Sequence, residues 1–299
     1  MINQFLNTIK FIKKHPLGNK VFFKCLKGYI RWQLGTRILQ NDIIHEFVGG
    51  TRLIVKRGML GATGNVYVGI HEFEHMSFLL HACGRQDIFF DIGSNVGSYS
   101  ILASGICKSK SICFEPIKTT YHHLQDNIRL NDLQDLCDCF NVGVGSEMGS
   151  LFFTKVLDTM NRVAVVQELS DEKEIVDVIT LDSLFQKFPA TILKIDVEGY
   201  ELNVLYGAKK LLQSNSLHSI IIELNEYNTL DDSTKLIHEL LISHSFSRYR
   251  YEPFSRSLEK LDGTPLESGN AIYVNELHLQ SILKVLKSSP SFSLFGINI

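Results

Sequence analysis

Short apolar runs alternate along this chain with longer stretches in which apolar residues recur at helical spacing. The runs at 88–92, 111–114, 139–144, 191–195 and 219–224 have the near-continuous hydrophobicity of parallel strands covered on both faces. Between them, 71–83 (Phe73, Met76, Phe78, Leu79) and 119–130 (Tyr121, Leu124, Ile128) read as helices. So do the segment with Leu202, Leu205, Ala208, Leu211 and Leu212, and 231–244 with Leu236, Ile237, Leu240 and Leu241. Strands alternating with helices predict an α/β open parallel sheet with helices on both faces. The runs at 248–251 and 271–274 have no helical stretch between them and predict an antiparallel pair at one edge. Upstream, 51–57 and 65–70 predict two strands joined through Gly58, Gly61 and Gly64, a hairpin leading into the domain. Segments 151–156 and 162–167 alternate like an excursion of short strands, and 176–180 leads into a short helix from Leu181.

Residues 1–40 read as helical, broken at Pro16-Leu17-Gly18, with Phe5, Leu6, Ile9 and Ile12 on one face. They hold eight Lys/Arg and no Asp/Glu, so with a net charge of −2 overall the rest of the chain carries about −10. Such a segment either packs on the domain with its lysines in water or touches an anionic membrane or glycolipid. Nucleic acid is the poorer partner, because no aromatic–basic interleaving accompanies the lysines. The length of 299 residues suits one large domain with an appendage. The expected division is a basic helical extension over 1–50, the hairpin over 51–70 and the main domain over 71–299. The six cysteines form no C-x-x-C pair and sit mostly in apolar runs. No apolar run approaches a membrane span, and lysines interrupt the N-terminus where a signal peptide needs an apolar core. A cytoplasmic protein is expected, free or peripheral at the inner face of a membrane.

The candidate chemistry gathers around 89–98, Phe-Phe-Asp-Ile-Gly-Ser-Asn-Val-Gly-Ser, a buried strand running into a glycine-rich turn and a helix. Gly93 and Gly97 permit close backbone approach to a ligand, and the helix aims free N–H groups at the turn. A pyrophosphate wants those N–H groups and no nearby anion. S-adenosylmethionine carries an ammonium and a sulfonium, and favours an acid in the cradle. Asp91 supplies that acid, and Glu115, 24 residues on at the end of the next strand, is placed to accept from ribose hydroxyls. Asp91, Glu115, Asn141, Asp196 and Glu223 all fall at strand carboxyl ends, where open sheets bind ligands. Two further readings stay open. His71-Glu72-Phe73-Glu74-His75 matches the zinc pattern H-E-x-x-H, against a plain buried helix. Asp196, Glu223 and Asn225 could converge on Mg²⁺. No metal is expected.

The motifs Glu72-Phe73-Glu74, 90–97, Phe114-Glu115-Pro116, 127–131, Thr180-Leu181-Asp182, 193–201 and Gly207-Ala208 occur together in order. In this the chain, from about Glu72 to Val274, resembles the FkbM family of methyltransferases. The resemblance implies a class I Rossmann-like fold with a seven-stranded, mostly parallel sheet ending in an antiparallel pair. It also implies S-adenosylmethionine as donor and O-methylation of a hydroxyl. On this reading Asp91 and the turn Gly93, Ser94, Asn95 and Gly97 hold the methionine end, with Ser94 where the family often has alanine. Glu115 holds the ribose, and Asn141, Val142 and Gly143 flank the adenine. Glu72 or Glu74 lines the pocket, and Asp196 or Glu198 is the base. The expected acceptor is a sugar hydroxyl of a surface polysaccharide or glycolipid, met by 146–175 and 252–269. The alternatives are a polyketide or other small metabolite, or a binding protein that has kept the fold.

Overall fold

The computed structural model describes residues 2–38, 42–56, 59–154, 173–224, 233–266 and 268–299. Its main sheet has eight strands: β1 (Ile88–Ile92), β2 (Lys110–Phe114), β3 (Cys137–Phe140), β4 (Ile192–Ile195), β5 (Ser219–Leu224), β6 (Phe246–Glu252), β7 (Ser257–Lys260) and β8 (Gly269–Asn275). Their order is β7-β6-β8-β5-β4-β1-β2-β3. The pairings among β3, β2, β1, β4 and β5 are parallel, and those of β5 with β8, β8 with β6 and β6 with β7 are antiparallel. The sheet is therefore Rossmann-like but mixed and eight-stranded, which corrects the expectation of seven mostly parallel strands. The extra strand, β7, lies in 252–269, between the two runs expected to form the antiparallel pair. Its sequence Ser-Leu-Glu-Lys leaves only Leu258 partly covered, so it shows no apolar pattern. As a charged edge strand it is held by ladder bonds and the Arg250–Glu259 ion pair, at 3.3 Å.

Alternate residues of the central strands enter two separate cores, one on each face. Phe89, Cys113, Ile192 and Ile221 face one, and Phe90, Ile92, Phe114, Leu193 and Ile222 face the other. Burial on both faces explains the unbroken apolar runs. Helices Phe73–Ala82 and Leu279–Ser288 cover the first core; Glu201–Tyr206, Lys209–Leu212 and Ser233–Ser243 cover the second.

Three local expectations change. Residues 65–70 lie in or just after a helix, Leu60–Val68, rather than a strand, and the hairpin pairs Ile43–Glu46 with Arg52–Val55. Val66 and Tyr67 are strand formers by propensity, but they pack beside Trp32 and Met59, and that contact decides. The strand expected over 139–144 ends at Phe140; Gly143–Val144 joins a small sheet with Gly149–Thr154 and Lys173–Ile179. The N-terminal segment forms three helices, Ile2–Lys14, Pro16–Lys20 and Phe22–Ile38. On the face expected to carry Phe5, Leu6, Ile9 and Ile12, only Ile12 is fully buried, while Phe5 and Leu6 are exposed. The strand expected at 162–167, Asn225 and the start of the helix expected from 231 lie outside the described residues.

Candidate active site

The parallel register sets β1, β2 and β4 side by side with their carboxyl ends level, Ile92 opposite both Phe114 and Ile195. Beyond those ends lies a cleft lined by residues 93–96 and Ser98 of the turn, Glu72, Tyr99, Glu115, Thr120, Val142, Gly143, Lys194, Asp196, Glu198, Tyr200 and Glu223.

Gly93 makes the cleft's floor possible. Its φ is 77°, and a Cβ there would stand 1.9 Å from the carbonyl oxygen of Asp196, so β1 and β4 meet over it only as glycine. The backbone N–H groups of Gly93 and Ser94 both donate to Phe114 O at 3.0 Å, tying the turn to β2. The Ser94 hydroxyl completes that tie: it donates to Asp91 O at 2.6 Å and accepts from Phe114 N at 3.0 Å. Asn95 sits at φ 51° and donates its N–H to Glu115 Oε2 at 3.0 Å, while Ile117 N–H donates to Oε1 at 3.0 Å. Glu115 is thus fixed by two backbone donors at the end of β2.

Asp91 is almost fully buried and accepts from the Ser100 N–H and hydroxyl. Burial pushes its pKa up to about 6, and burial likewise raises Glu115 to about 7. Opposite Asp91 in the register stands Lys194, which is 1% exposed. Lys194 Nζ donates to Asp196 Oδ2 and to Asn270 Oδ1, each at 2.9 Å, and lies 5.2 Å from the centre of the Tyr99 ring. Burial works against the ammonium, but Asp196 and Glu72 outweigh it and keep the lysine charged. Glu72 accepts from the Tyr99 hydroxyl and pairs with His71 at 3.0 Å. Burial would raise Glu72, yet His71 and Lys194 hold it well below the ordinary range. A band Glu72–Tyr99–Lys194–Asp196 therefore crosses the inner wall of the cleft.

Carboxylate oxygens of Asp196, Glu198 and Glu223, which also line the cleft, come within 4.8 Å of one another. Burial, then Asp196 and Glu198, push Glu223 up to about 9, so it is protonated at neutral pH. The Val197–Gly199 loop that carries Glu198 has φ 53° at Glu198 and φ 100° at Gly199. The fully buried Glu201 closes it, accepting from Val197 N at 3.2 Å and Gly199 N at 3.0 Å.

Of the residues expected at a site, Glu72, Asp91, Gly93, Ser94, Asn95, Glu115, Val142, Gly143, Asp196 and Glu198 line one cleft. Gly97 and Asn141 do not. Gly97 is at φ 87° before the helix Ser98–Ile101. Asn141 donates to Glu115 O at 2.9 Å and Pro116 O at 2.8 Å, a brace for the loop. Glu74 points away and accepts from Tyr251 N. The zinc reading fails on geometry. The helix begins at Phe73, so His71 precedes it, with its Nδ1 against Asn65 and its Nε2 against Glu72. Sequence reasoning missed Lys194 and Tyr99. A lysine inside an apolar strand was the available signal for the first, and nothing marked the second.

The model of the methyltransferase FkbM domain matches residues 91–253, more than half of the chain. The chain is 26% identical over 180 residues to the hexuronic acid methyltransferase AglP of Haloferax volcanii, covering 59% of this chain and 72% of that protein. Among solved structures, M. jannaschii TYW2 in complex with AdoMet matches with TM-score 0.40 and 13% identity over 78% of this chain and 84% of that one. P. horikoshii TYW2 in complex with MeSAdo matches with TM-score 0.41 and 13% identity, over 79% of this chain and 70% of that one.

Proposed function

The chain belongs to the FkbM methyltransferase family and is an S-adenosylmethionine-dependent methyltransferase; from that premise we propose that it methylates a sugar hydroxyl of a surface polysaccharide or glycolipid. The observation that carries the reading is the pair of buried acids, Asp91 and Glu115, at the ends of adjacent parallel strands on either side of the Gly93 turn. Both have raised pKa values, and Asp91 adds to the rise at Glu115. A cationic cofactor relieves that crowding, whereas a pyrophosphate would add to it.

In this assignment Asp91 faces the cofactor's ammonium and Glu115 its ribose hydroxyls, with Val142 and Gly143 along the adenine. Bound there, the cofactor would supply an electrophilic methyl group on a sulfonium, with a neutral thioether as the leaving group. The chain's own residues position that oxygen and take its proton. Asp196 is the base. Lys194 fixes the Asp196 carboxylate by direct hydrogen bond and is itself anchored by Asn270. Glu198 is the alternative base from the same loop.

The relative named above acts on a hexuronic acid. The acceptor side of this cleft bears Asp196 and Glu198 beside the protonated Glu223, and its buried lysine, Lys194, is already paired with Asp196. A neutral polyhydroxylated sugar fits that charge better than a uronate. A glycolipid acceptor would place the enzyme in the cytoplasm at the inner face of a membrane.

The test is calorimetric titration with S-adenosylmethionine and S-adenosylhomocysteine beside Asp91→Ala, followed by transfer of labelled methyl to neutral and uronic sugars. Saturable binding lost in Asp91→Ala is expected, with neutral sugars preferred. Asp196→Asn is expected to bind cofactor normally and to lose roughly 10²–10⁴-fold in turnover. Undiminished binding by Asp91→Ala would overturn the cofactor assignment, and a uronate preference would overturn the acceptor.

A further inference from the structure

The helix Phe22–Ile38 has apolar residues all the way round. Its inner side is set by Cys25, Tyr29, Trp32 and Thr36, all buried and three or four residues apart. The side opposite is not covered. Phe23 is 82% exposed, Ile30 44%, Leu34 54% and Ile38 79%, at spacings of seven, four and four that keep them in one stripe along the helix. A helix that is apolar on both sides asks for cover on both sides.

The charges say what covers it. Lys27 and Arg31 are exposed and line the same shallow groove as Phe23, Ile30 and Leu34. The first 40 residues have no acid, while the remainder carries about −10. A second copy of the chain would set this basic stripe against itself. An anionic bilayer would accept the apolar side chains below its headgroups and pair with the lysine and arginine at headgroup level, as interfacial helices do. It would repel the acidic body, so that only this face could approach.

We propose that the outer face of the helix Phe22–Ile38 is a membrane-docking surface, seated on anionic lipid through Phe23, Ile30, Leu34 and Ile38 with Lys27 and Arg31 at the headgroups. The proposal does not depend on which acceptor is methylated.

The experiment is co-sedimentation of the full chain with vesicles of phosphatidylcholine alone and of phosphatidylcholine with about 30% phosphatidylglycerol. Binding to the anionic vesicles only is expected. The Lys27→Gln/Arg31→Gln double variant is expected to lose roughly 25-fold in partition, about fivefold for each basic residue. A Phe23→Ser/Leu34→Ser variant is expected to lose a similar amount while keeping its circular dichroism and its S-adenosylmethionine affinity. No binding to anionic vesicles, equal binding to neutral ones, or binding unchanged in both variants would overturn the proposal. So would a concentration-dependent dimer or a complex with an acidic protein that Phe23→Ser/Leu34→Ser abolishes.

Discussion

Replacing Lys194 with methionine removes the cation on which the inner wall of the cleft converges and keeps most of its volume. Lys194 is 1% exposed and its ammonium donates to Asp196 and Asn270, with Glu72 and Glu223 also within its field. Breaking a buried ion pair from one side costs about 3–5 kcal/mol, because the partner charge stays behind uncompensated. Here the Asp196 side chain keeps 30% exposure against 2% for the lysine, so water takes up part of that charge and the cost falls near the lower end, about 3 kcal/mol.

The pH dependence separates this from a packing defect. The folded-state pKa of Lys194 is raised, so in the wild-type protein its stabilisation is fully present below the unfolded pKa of about 10.4 and does not vary between pH 5 and 7.5. In the variant, Glu72 loses one of the charges that hold its carboxyl below the ordinary range, and its pKa rises. Where that pKa comes to exceed the pH, protonation relieves the defect, by about 1.4 kcal/mol for each unit of the excess. Urea unfolding at pH 7.5 and 5.0 reads this directly: a deficit of about 3 kcal/mol that shrinks at the lower pH. Adding Asp196→Asn to Lys194→Met is expected to recover at least ~1 kcal/mol relative to the sum of the single changes. A deficit below ~1 kcal/mol at pH 7.5, or one equal at both pH values, would refute the reasoning, since a lost packing contact alone does not titrate.

Gly93→Ala puts a Cβ 1.9 Å from the Asp196 carbonyl at φ 77°, so strain and overpacking together are expected to cost about 2–5 kcal/mol in urea unfolding and to remove cofactor binding by calorimetry. Asp91 and Glu115, raised to about 6 and 7, hold protons that the unfolded chain releases near pH 4, so cofactor-free stability is expected to fall as pH rises from about 4 to 7. Over pH 5.5–7.5 the same ionisation should tighten S-adenosylmethionine binding. Glu115→Gln should lose the upper part of that dependence in a calorimetric pH series. Glu223 is pushed to about 9, so Glu223→Gln replaces an already neutral group, and a stability change within about 1 kcal/mol at pH 7 is expected by urea unfolding.

The parts of the fold that were legible are those in which one face or both faces of an element lie in the core. Phe89 and Phe90 enter opposite cores, and their run reads as a covered strand without help from the rest of the chain. Ser257–Lys260 sends only the half-buried Leu258 against the first core, and one apolar residue among Ser, Glu and Lys leaves no strand pattern in hydrophobicity. The helix Leu60–Val68 was misread for the opposite reason: Val66 and Tyr67 suit a strand in isolation, and only their contact with Trp32 and Met59 decides otherwise.

The site divides in the same way. Asp91 and Glu115 were legible because an acid in an apolar strand is costly unless a ligand or partner answers it, and each stands beside a glycine turn or a strand end that offers a ligand. Lys194 breaks its own strand by the same rule, but its partners are Asp196, Asn270 and Glu72, and two of these lie 76 and 122 residues away. Asp91 and Lys194 become neighbours only through the pairing of β1 with β4, which no local pattern encodes. A single misplaced charge in a sequence therefore marks where a site lies. The opposite charges that sheet register brings to it determine whether that charge binds a ligand or holds another residue in place. Here the acids at the ends of β1 and β2 remain short of cations, while the lysine on β4 is fully partnered. That asymmetry supports the ligand-binding role proposed for Asp91 and Glu115 and the positioning role proposed for Lys194.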